Sequence, residues 1–350
     1  MRTLDRRNAA EGAGLDASIV IPTFNRELVL LRTLDALARV DYPRARWEVI
    51  VVDDGSTDGS RDAVSDWRPS ADLQLTCLAQ RNAGPGAARN RGARVAQGGV
   101  LIFIDDDIVV QPFFLRRHLD VLATHPGCWT LGRVIHSPEL RRTPFGRYRD
   151  ACFEAFHRSH PTGICETGGI SGQNLALPAS DFTRLGGFDE DFSIASCEDW
   201  ELGLRARKSG VQILYDPENT VVHDDWAVTL EHFCERQKLY SISDVLAWSK
   251  YGEASPRARL VRENGPVRWG ADPLRLIAKK AVKRALSTGV GQALVRKACH
   301  IIERAAPDSR WSHGAYEAAV ALAIFGGVRE GFKRHEEGTP VSPARQLSAR

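Results

Sequence analysis

Three adjacent aspartates, Asp105, Asp106 and Asp107, follow directly on the apolar run Leu101–Ile104 in LIFIDDDIVV. Ionised carboxylates repel one another and are costly to bring out of water, so such a cluster needs a positive partner. A divalent cation suits it: hard oxygen ligands favour Mg²⁺ or Mn²⁺, which keep open positions for waters and phosphate oxygens. In extended chain Asp105 and Asp107 point to one side and Asp106 to the other, which can put two carboxylates near one ligand. Asp53 and Asp54 end the run Val49–Val52 in the same manner. Further along, Glu198 and Asp199 open a helical pattern, and His223 closes the short run Thr220–His223. These side chains can hold a cation or take a proton from a hydroxyl.

Each feature also has a plainer reading. The three aspartates could be a solvated turn, and Asp53-Asp54-Gly55-Ser56 a turn with a helix cap after it. Ser196-Cys197-Glu198-Asp199 has the form of a capping box. A lone histidine at a strand end is ordinarily a satisfied surface group. GPGAARNRG lacks the third glycine of a dinucleotide fingerprint, since Arg89 stands there. Trp200 and Trp226 could stack on a sugar or simply pack, and Gly186-Gly187-Phe188 reads as a turn with an anchoring aromatic.

Position decides between these readings, and position comes from the elements. SIVIPTF, WEVIVVD, LQLTCLA and GVLIFI read as strands. Between them, ELVLLRTLDALARV, DGSRDAVSDW and GPGAARNRGARVA read as helices. Strand and helix alternating at this spacing imply right-handed crossovers and a mainly parallel sheet. Ligands of such a sheet bind beyond the carboxyl ends of the strands, where Asp53–Asp54 and Asp105–Asp107 fall. Past Asp107 the pattern predicts a strand over Cys128–His136, a loop rich in Arg and aromatics over Arg141–His160, and a helix over Glu198–Ser209. Two short strands follow, Val211–Tyr215 and Thr220–His223, and the chain reads as helical from about Phe233.

The 350 residues are 43% hydrophobic and 26% charged, ordinary for a soluble globular protein. A net charge of +3 is too small to suggest nucleic acid as the partner. Seven cysteines without a CxxC spacing read as reduced thiols in a cytoplasmic chain. The first sixteen residues carry no apolar core of a secretory signal, and no uncharged apolar run is long enough to span a membrane. Between Leu274 and Arg310 nine Lys or Arg face only Glu303 and Asp308. Leu274, Ile277, Ala281, Val282, Ala285 and Leu286 fall near one helical face, with Arg275, Lys279, Lys280, Lys283 and Arg284 toward the other. Such a helix either packs its apolar face on the domain and solvates its basic one, or lies on an anionic membrane as a peripheral contact.

In order along the chain, SIVIPTFNR, EVIVVDDGSTDGS, RNAGPGAARNRGA and LIFIDDDIVVQP resemble the nucleotide-binding half of glycosyltransferase family 2. SGQNLALPASDFTRLGGFDEDF and CEDWELGLRARKSG resemble that family's acceptor half. The resemblance covers about Ala17 to Asp224 and implies an α/β fold of GT-A type: a Rossmann-like, mainly parallel sheet flanked by helices. A helical C-terminal extension follows it. The implied division is a tail over 1–16, a glycosyltransferase domain over 17–232 and an extension over 233–350. Within the domain, 17–110 would take the nucleotide-sugar and 111–232 the acceptor. By the resemblance Pro22 and Phe24 wall the base, and Asp53, Asp54, Arg81, Asn82, Arg89, Asp105 and Asp106 contact the nucleotide-sugar. Asp107, with Asp105 and His223, holds Mn²⁺ or Mg²⁺. Asp199 is the catalytic base, with Glu198 beside it. The implied activity is inverting transfer of a sugar from a nucleotide-diphospho-sugar to a hydroxyl of a glycan, lipid-linked or small-molecule acceptor. Two other readings stay open: a nucleotidyltransferase, which would want a Gly-rich basic loop where PTFNRE stands, and an inactive glycan-binding or scaffold protein of the same fold.

Overall fold

The apolar runs of the first hundred residues form four parallel strands, with helices between them. They are β1 (Ala17–Thr23), α1 (Glu27–Leu37), β2 (Trp47–Asp53), α2 (Ser60–Asp66), β3 (Leu75–Ala79), α3 (Pro85–Val95) and β4 (Val100–Phe103). β1 pairs with both β2 and β4, and β2 with β3, all parallel. Every residue of β1 and β2 is buried, which requires cover on both faces of the sheet. Leu30, Leu34 and Leu37 of α1 supply one cover against Ile19, Ile21, Val49 and Val51. Ala88 of α3 belongs to the other, with Val20, Ile50 and Val52. On that face Gly92 is required by space: a Cβ there would stand 2.4 Å from Cγ1 of Val20.

The second half continues the sheet with β5 (Ile108–Val109), α4 (Phe114–Thr124), β6 (Cys128–His136), α5 (Pro144–His157), β7 (Cys165–Glu166) and β8 (Leu175–Pro178). After these come α6 (Ala179–Leu185), α7 (Glu198–Lys208) and β9 (Gln212–His223). The sheet order is β3-β2-β1-β4-β8-β6-β9-β5, with β7 also on β9. The parallel character holds for β1 to β4 and for β6 with β9, while β8, β5 and β7 run antiparallel to their neighbours. The computed structural model describes residues 14–67, 73–157, 163–225 and 228–339.

Two expectations for this half are corrected. The two short strands expected over Val211–Tyr215 and Thr220–His223 are one strand, β9, whose register on β6 shifts between Gly132 and Arg133. Most of the stretch expected as a loop over Arg141–His160 is α5. Part of its apolar side is completed by distant residues, Phe145 lying 5.2 Å from the ring of Tyr316 and 5.6 Å from that of Phe233. No local pattern could reveal those partners.

The C-terminal part is α8 (Leu230–Tyr251), α9 (Ala258–Asn264), α10 (Leu274–Leu286), α11 (Gly289–Ala305) and α12 (Arg310–Glu336). α8 packs along α12 through Val245, Trp248, Val328 and Phe332. A division at 232/233 therefore falls inside the first turn of α8. The packing expected of α10 is partly inverted. Leu274 is 84% exposed and Val282 59%, whereas Lys280 is 3% exposed. Lys280 is drawn inward by Asp272 at 2.7 Å and the Pro266 carbonyl at 2.9 Å, and Lys283 donates to Asn264 at 2.6 Å. These polar ties turn the basic side of the helix toward α9 and leave apolar residues facing out. All seven cysteines are free thiols, and among the described residues no helix is long and apolar enough to cross a membrane.

Gly92→Ala tests how tightly α3 seats on β1. The gain of roughly 1 kcal/mol in helix propensity is outweighed by overpacking of roughly 1–3 kcal/mol. Urea unfolding should give a net loss of stability; equal or greater stability would show that the contact with Val20 yields easily.

Candidate active site

The register of the sheet brings its acids to one edge. β1, β2 and β4 run parallel, so the turns after Thr23, Asp53 and Phe103 emerge side by side. The antiparallel pairing of β5 with β9 sets Ile108 opposite His223, which carries that imidazole to Asp107. A cleft of about 390 Å³ opens there, lined from the first half by Pro22, Phe24, Asp54, Arg89 and Asp105–Asp107. Its other wall includes His136, Arg149, His223, Asp225, Arg236 and Tyr240. A larger groove of about 580 Å³ lies among α8, α11 and α12, away from these acids.

Two arginines organise the cleft, Arg89 buried and Arg26 partly buried. Arg26 lies on Asp107 Oδ2 at 2.6 Å and on Asp106 Oδ1 at 3.4 Å. Arg89, 3% exposed, meets Asp105 at 2.6 Å, Glu198 at 3.1 Å and Asp199 at 3.8 Å. Much of the positive charge that the acid cluster demands is thus supplied by the chain itself. Burial acts to lower both guanidinium pKa values, but the carboxylates beside them raise both overall. Gly172 permits this arrangement, since a Cβ there would stand 2.8 Å from the Arg89 guanidinium carbon. Its backbone N–H donates to Asp199 Oδ2 at 2.9 Å.

The three aspartates have separate surroundings. Asp106 turns into the sheet, accepting from the Thr23 hydroxyl at 2.7 Å, and burial pushes its pKa up to about 7. Asp105 belongs to Arg89. Asp107 would be raised by burial, yet His223 and Arg26 hold it well below the usual carboxylate range. His223 Nε2 lies 3.2 Å from Asp107 Oδ2; burial would lower its pKa, and Asp107 raises it. The other oxygen of Asp107, Oδ1, is buried with no hydrogen-bond partner.

That orphaned oxygen and the adjacent imidazole fit a hard divalent cation in donor type. Among the described residues, however, no group of three or more His, Cys, Asp or Glu could by itself hold a metal. A Mg²⁺ or Mn²⁺ that keeps one or two protein ligands and takes the rest from phosphate and water suits such a donor set. A closed, all-protein cage does not.

Asp199 stands at the start of α7 with Oδ1 buried, without a hydrogen-bond partner and 3.8 Å from Arg89. Burial raises its pKa, moderated by Arg89. Glu198 is buried beside it, pushed up to about 7 by burial and by Asp199, with Arg89 opposing. The capping box expected here does not form: Cys197 precedes the helix without a side-chain cap, and Glu198 accepts from the Ser196 N–H at 2.7 Å. Asp53 and Asp54 do serve the turns beside them. Asp53 accepts from the Ser56 N–H, and Asp54, 2% exposed, accepts from Gln80, Ala83 and Gly84, each at 2.8 Å. Arg81 is exposed outside the lined cleft, while both amide atoms of Asn82 are buried without partners. Trp200 packs edge-on against Tyr251, and Trp226 lies outside the described residues.

Arg26, Arg149 and Arg236 were missed from the sequence. Arg26 had a faint signal, a cation placed just past the first strand; nothing local marks the other two.

Residues 18–175 match the family model described as Glycosyl transferase family 2. Validoxylamine A glucosyltransferase of Streptomyces hygroscopicus subsp. limoneus is 32% identical over 263 residues, covering 65% of this chain and 54% of that relative. The chain thus spans about half the length of that curated relative. Among solved structures, the mannosyltransferase PcManGT from Pyrobaculum calidifontis, in complex with GDP-Man and Mn²⁺, aligns with a TM-score of 0.56 at 21% identity, covering 91% of this chain and 90% of that one. GalNAc-T7 with UDP, GalNAc and Mn²⁺ aligns with a TM-score of 0.53 at 16% identity, over 78% of this chain and 55% of its own. The sheet with its helical flanks is a GT-A type fold, and residues 18–175 are similar to glycosyltransferase family 2.

Proposed function

We propose that this chain is a metal-dependent, inverting glycosyltransferase that moves a sugar from a nucleotide-diphospho-sugar to an acceptor hydroxyl. The observation that carries the reading is that two carboxylate oxygens, Oδ1 of Asp107 and Oδ1 of Asp199, are buried without a hydrogen-bond partner in one cluster of arginine-bridged acids. The glucosyltransferase relative and the GDP-Man and Mn²⁺ of a structural neighbour support it. On this reading residues 17–110 hold the donor and 111–232 the acceptor, a glycan, lipid-linked glycan or small molecule.

Pro22 and Phe24 wall the base, as an aromatic face favours a planar ring. The unpartnered amide of Asn82 reads the base or ribose from a turn that Asp53 and Asp54 hold, and Arg81 at its tip meets the nucleotide from outside. Asp107 and His223, with Asp105 beside them, hold a divalent cation that, when bound, neutralises charge on the departing diphosphate. Asp199 takes the proton from the acceptor hydroxyl. Glu198 and Arg89 position it: Arg89 keeps its charge tolerable, and Glu198 anchors the guanidinium from the far side. One base and no assigned enzyme nucleophile give direct displacement with inversion, through an oxocarbenium-like state.

The outward apolar residues of α10 and α11, with Arg275, Lys279, Lys297 and Arg304 beside them, suit peripheral attachment to an anionic cytoplasmic membrane face. In flotation with phosphatidylglycerol vesicles the protein should rise with the lipid, and less so after Leu274, Val282, Val290 and Leu294 are changed to Ser. Failure of the intact protein to float removes this attachment.

The metal assignment is tested by thermal shift with UDP, GDP, dTDP and CDP, with and without Mn²⁺. The binding nucleotide should raise the melting temperature further when Mn²⁺ is present. Asp107→Ala should abolish that increment, and an increment that survives would move the ligand elsewhere. Asp199→Asn should lower kcat about 10²–10⁴-fold, the range of general-base catalysis, with a smaller change in KM. The wild-type rate should fall with acid at a higher pH than a free carboxylate would give, because burial raises Asp199. Glu198 carries the opposite sign for stability. Its folded pKa of about 7 lies above the ordinary 4.5, so its contribution is full below about 4.5 and is lost as pH rises through about 7. Melting curves of Glu198→Gln between pH 5 and 8 should be flatter than wild type; an unchanged slope contradicts the assignment.

A further inference from the structure

We infer that Arg149 of α5 and Arg236 of α8 form a subsite for a phosphoryl group in the wall of the crevice opposite β1–β4. The inference rests on the reading of that crevice as a transfer site but assigns residues outside the donor half. Arg26 and Arg89 have their charge matched by carboxylates, and Arg149 does not. Its Nη1 is buried without a hydrogen-bond partner, and among the described residues it forms no ion pair. Its guanidinium lies 4.8 Å over the ring of Phe233, and that of Arg236 lies 5.8 Å over the same ring. Arg236 reaches Asp225 at 2.7 Å through Nη1, while its own Nε is buried and unpartnered.

Two guanidiniums therefore stand against one aromatic ring, with Asp225 the one carboxylate paired to either among the described residues. Burial and Arg236 push the Arg149 pKa down to about 10, whereas those of Arg26, Arg89 and Arg236 are raised. Of the other titratable groups around them, Asp150 is engaged by Arg141 at 2.6 Å, and Tyr240 lies partly buried near Arg236. His136, held down to about 4 by burial and then by Arg149, presents a neutral ring at this end of the cleft, with His232 nearby.

An uncompensated buried charge is destabilising and persists where a ligand completes it. Planar guanidiniums with free N–H groups match the oxygens of a phosphoryl group. The rings of His136 and His223 are 5.8 Å apart, so the subsite adjoins the residues assigned to the cation. Its phosphoryl group comes either from the donor diphosphate or from a phosphate carried by the acceptor.

Calorimetric titration of the full chain with inorganic phosphate, without metal, tests the inference. Wild type should bind phosphate, and Arg149→Gln and Arg236→Gln should each weaken binding at least about 10-fold, the loss of one charge-assisted contact. Arg149→Gln should also melt higher than wild type in the absence of phosphate, since it removes an unmatched charge. No phosphate binding by wild type, binding unaltered by either substitution, or lost binding with a lower melting temperature in Arg149→Gln would each overturn the subsite.

Repeating the titration on protein saturated with whichever of UDP, GDP, dTDP or CDP binds separates the sources. Phosphate that still binds identifies an acceptor-borne group, and phosphate that is excluded identifies the donor's. If none of the four nucleotides binds while phosphate binding depends on Arg149, the transferase reading fails and the anion subsite stands. Nucleotide binding with Arg149-independent phosphate binding defeats the subsite alone.

Discussion

Charge matching at the carboxyl edge of the sheet is the constraint on which the rest of the molecule depends. Asp105, Asp106, Asp107, Glu198 and Asp199 come from two halves of the chain; Asp106, Asp107 and Glu198 are buried, and Asp105 and Asp199 are partly buried. Left alone they would repel one another and drive the two halves apart. Arg26 and Arg89 prevent this by bridging them, Arg89 linking the segment after β4 to α7 directly. The parallel register of β1, β2 and β4, the glycine at 172 and the β5–β9 pairing all place these groups within reach of each other.

The neutralisation is incomplete in an informative way. Oδ1 of Asp107 and of Asp199 lie buried without a hydrogen-bond partner on the acidic side, and on the basic side so do Nε of Arg26, Arg89 and Arg236 and Nη1 of Arg149. Buried polar atoms are ordinarily satisfied, so unmet groups of both signs in and beside one cleft describe a ligand with both kinds of group. A cation carried with a diphosphate, next to an acceptor hydroxyl, has that character. A chain selected for stability alone would not keep these atoms bare.

Much of this was legible in the residues. The alternation of apolar runs with helical patterns located β1 to β4 and α1 to α3 closely, because each is a local signal repeated at regular spacing. The acids at strand ends were legible for the same reason: a charge ending an apolar run marks an edge. What stayed hidden was long-range. α5 read as loop because its apolar residues face Phe233 and Tyr316, far along the chain. α10 read with its faces exchanged because Asp272 and Asn264, which draw its lysines inward, lie outside the helical pattern. Three aspartates suggested a metal as their whole counter-charge, and no spacing rule could say that Arg26 and Arg89 already supply much of it.

The most direct test is anomalous scattering from Mn²⁺ in crystals of the protein grown with a nucleoside diphosphate that it binds. The account predicts one strong peak in coordination range of Asp107 Oδ1, with Arg26 drawn back from that carboxylate and Arg89 still on Asp105. A manganese peak remote from Asp107, or a bound diphosphate with Arg26 unmoved and no metal beside it, would contradict it.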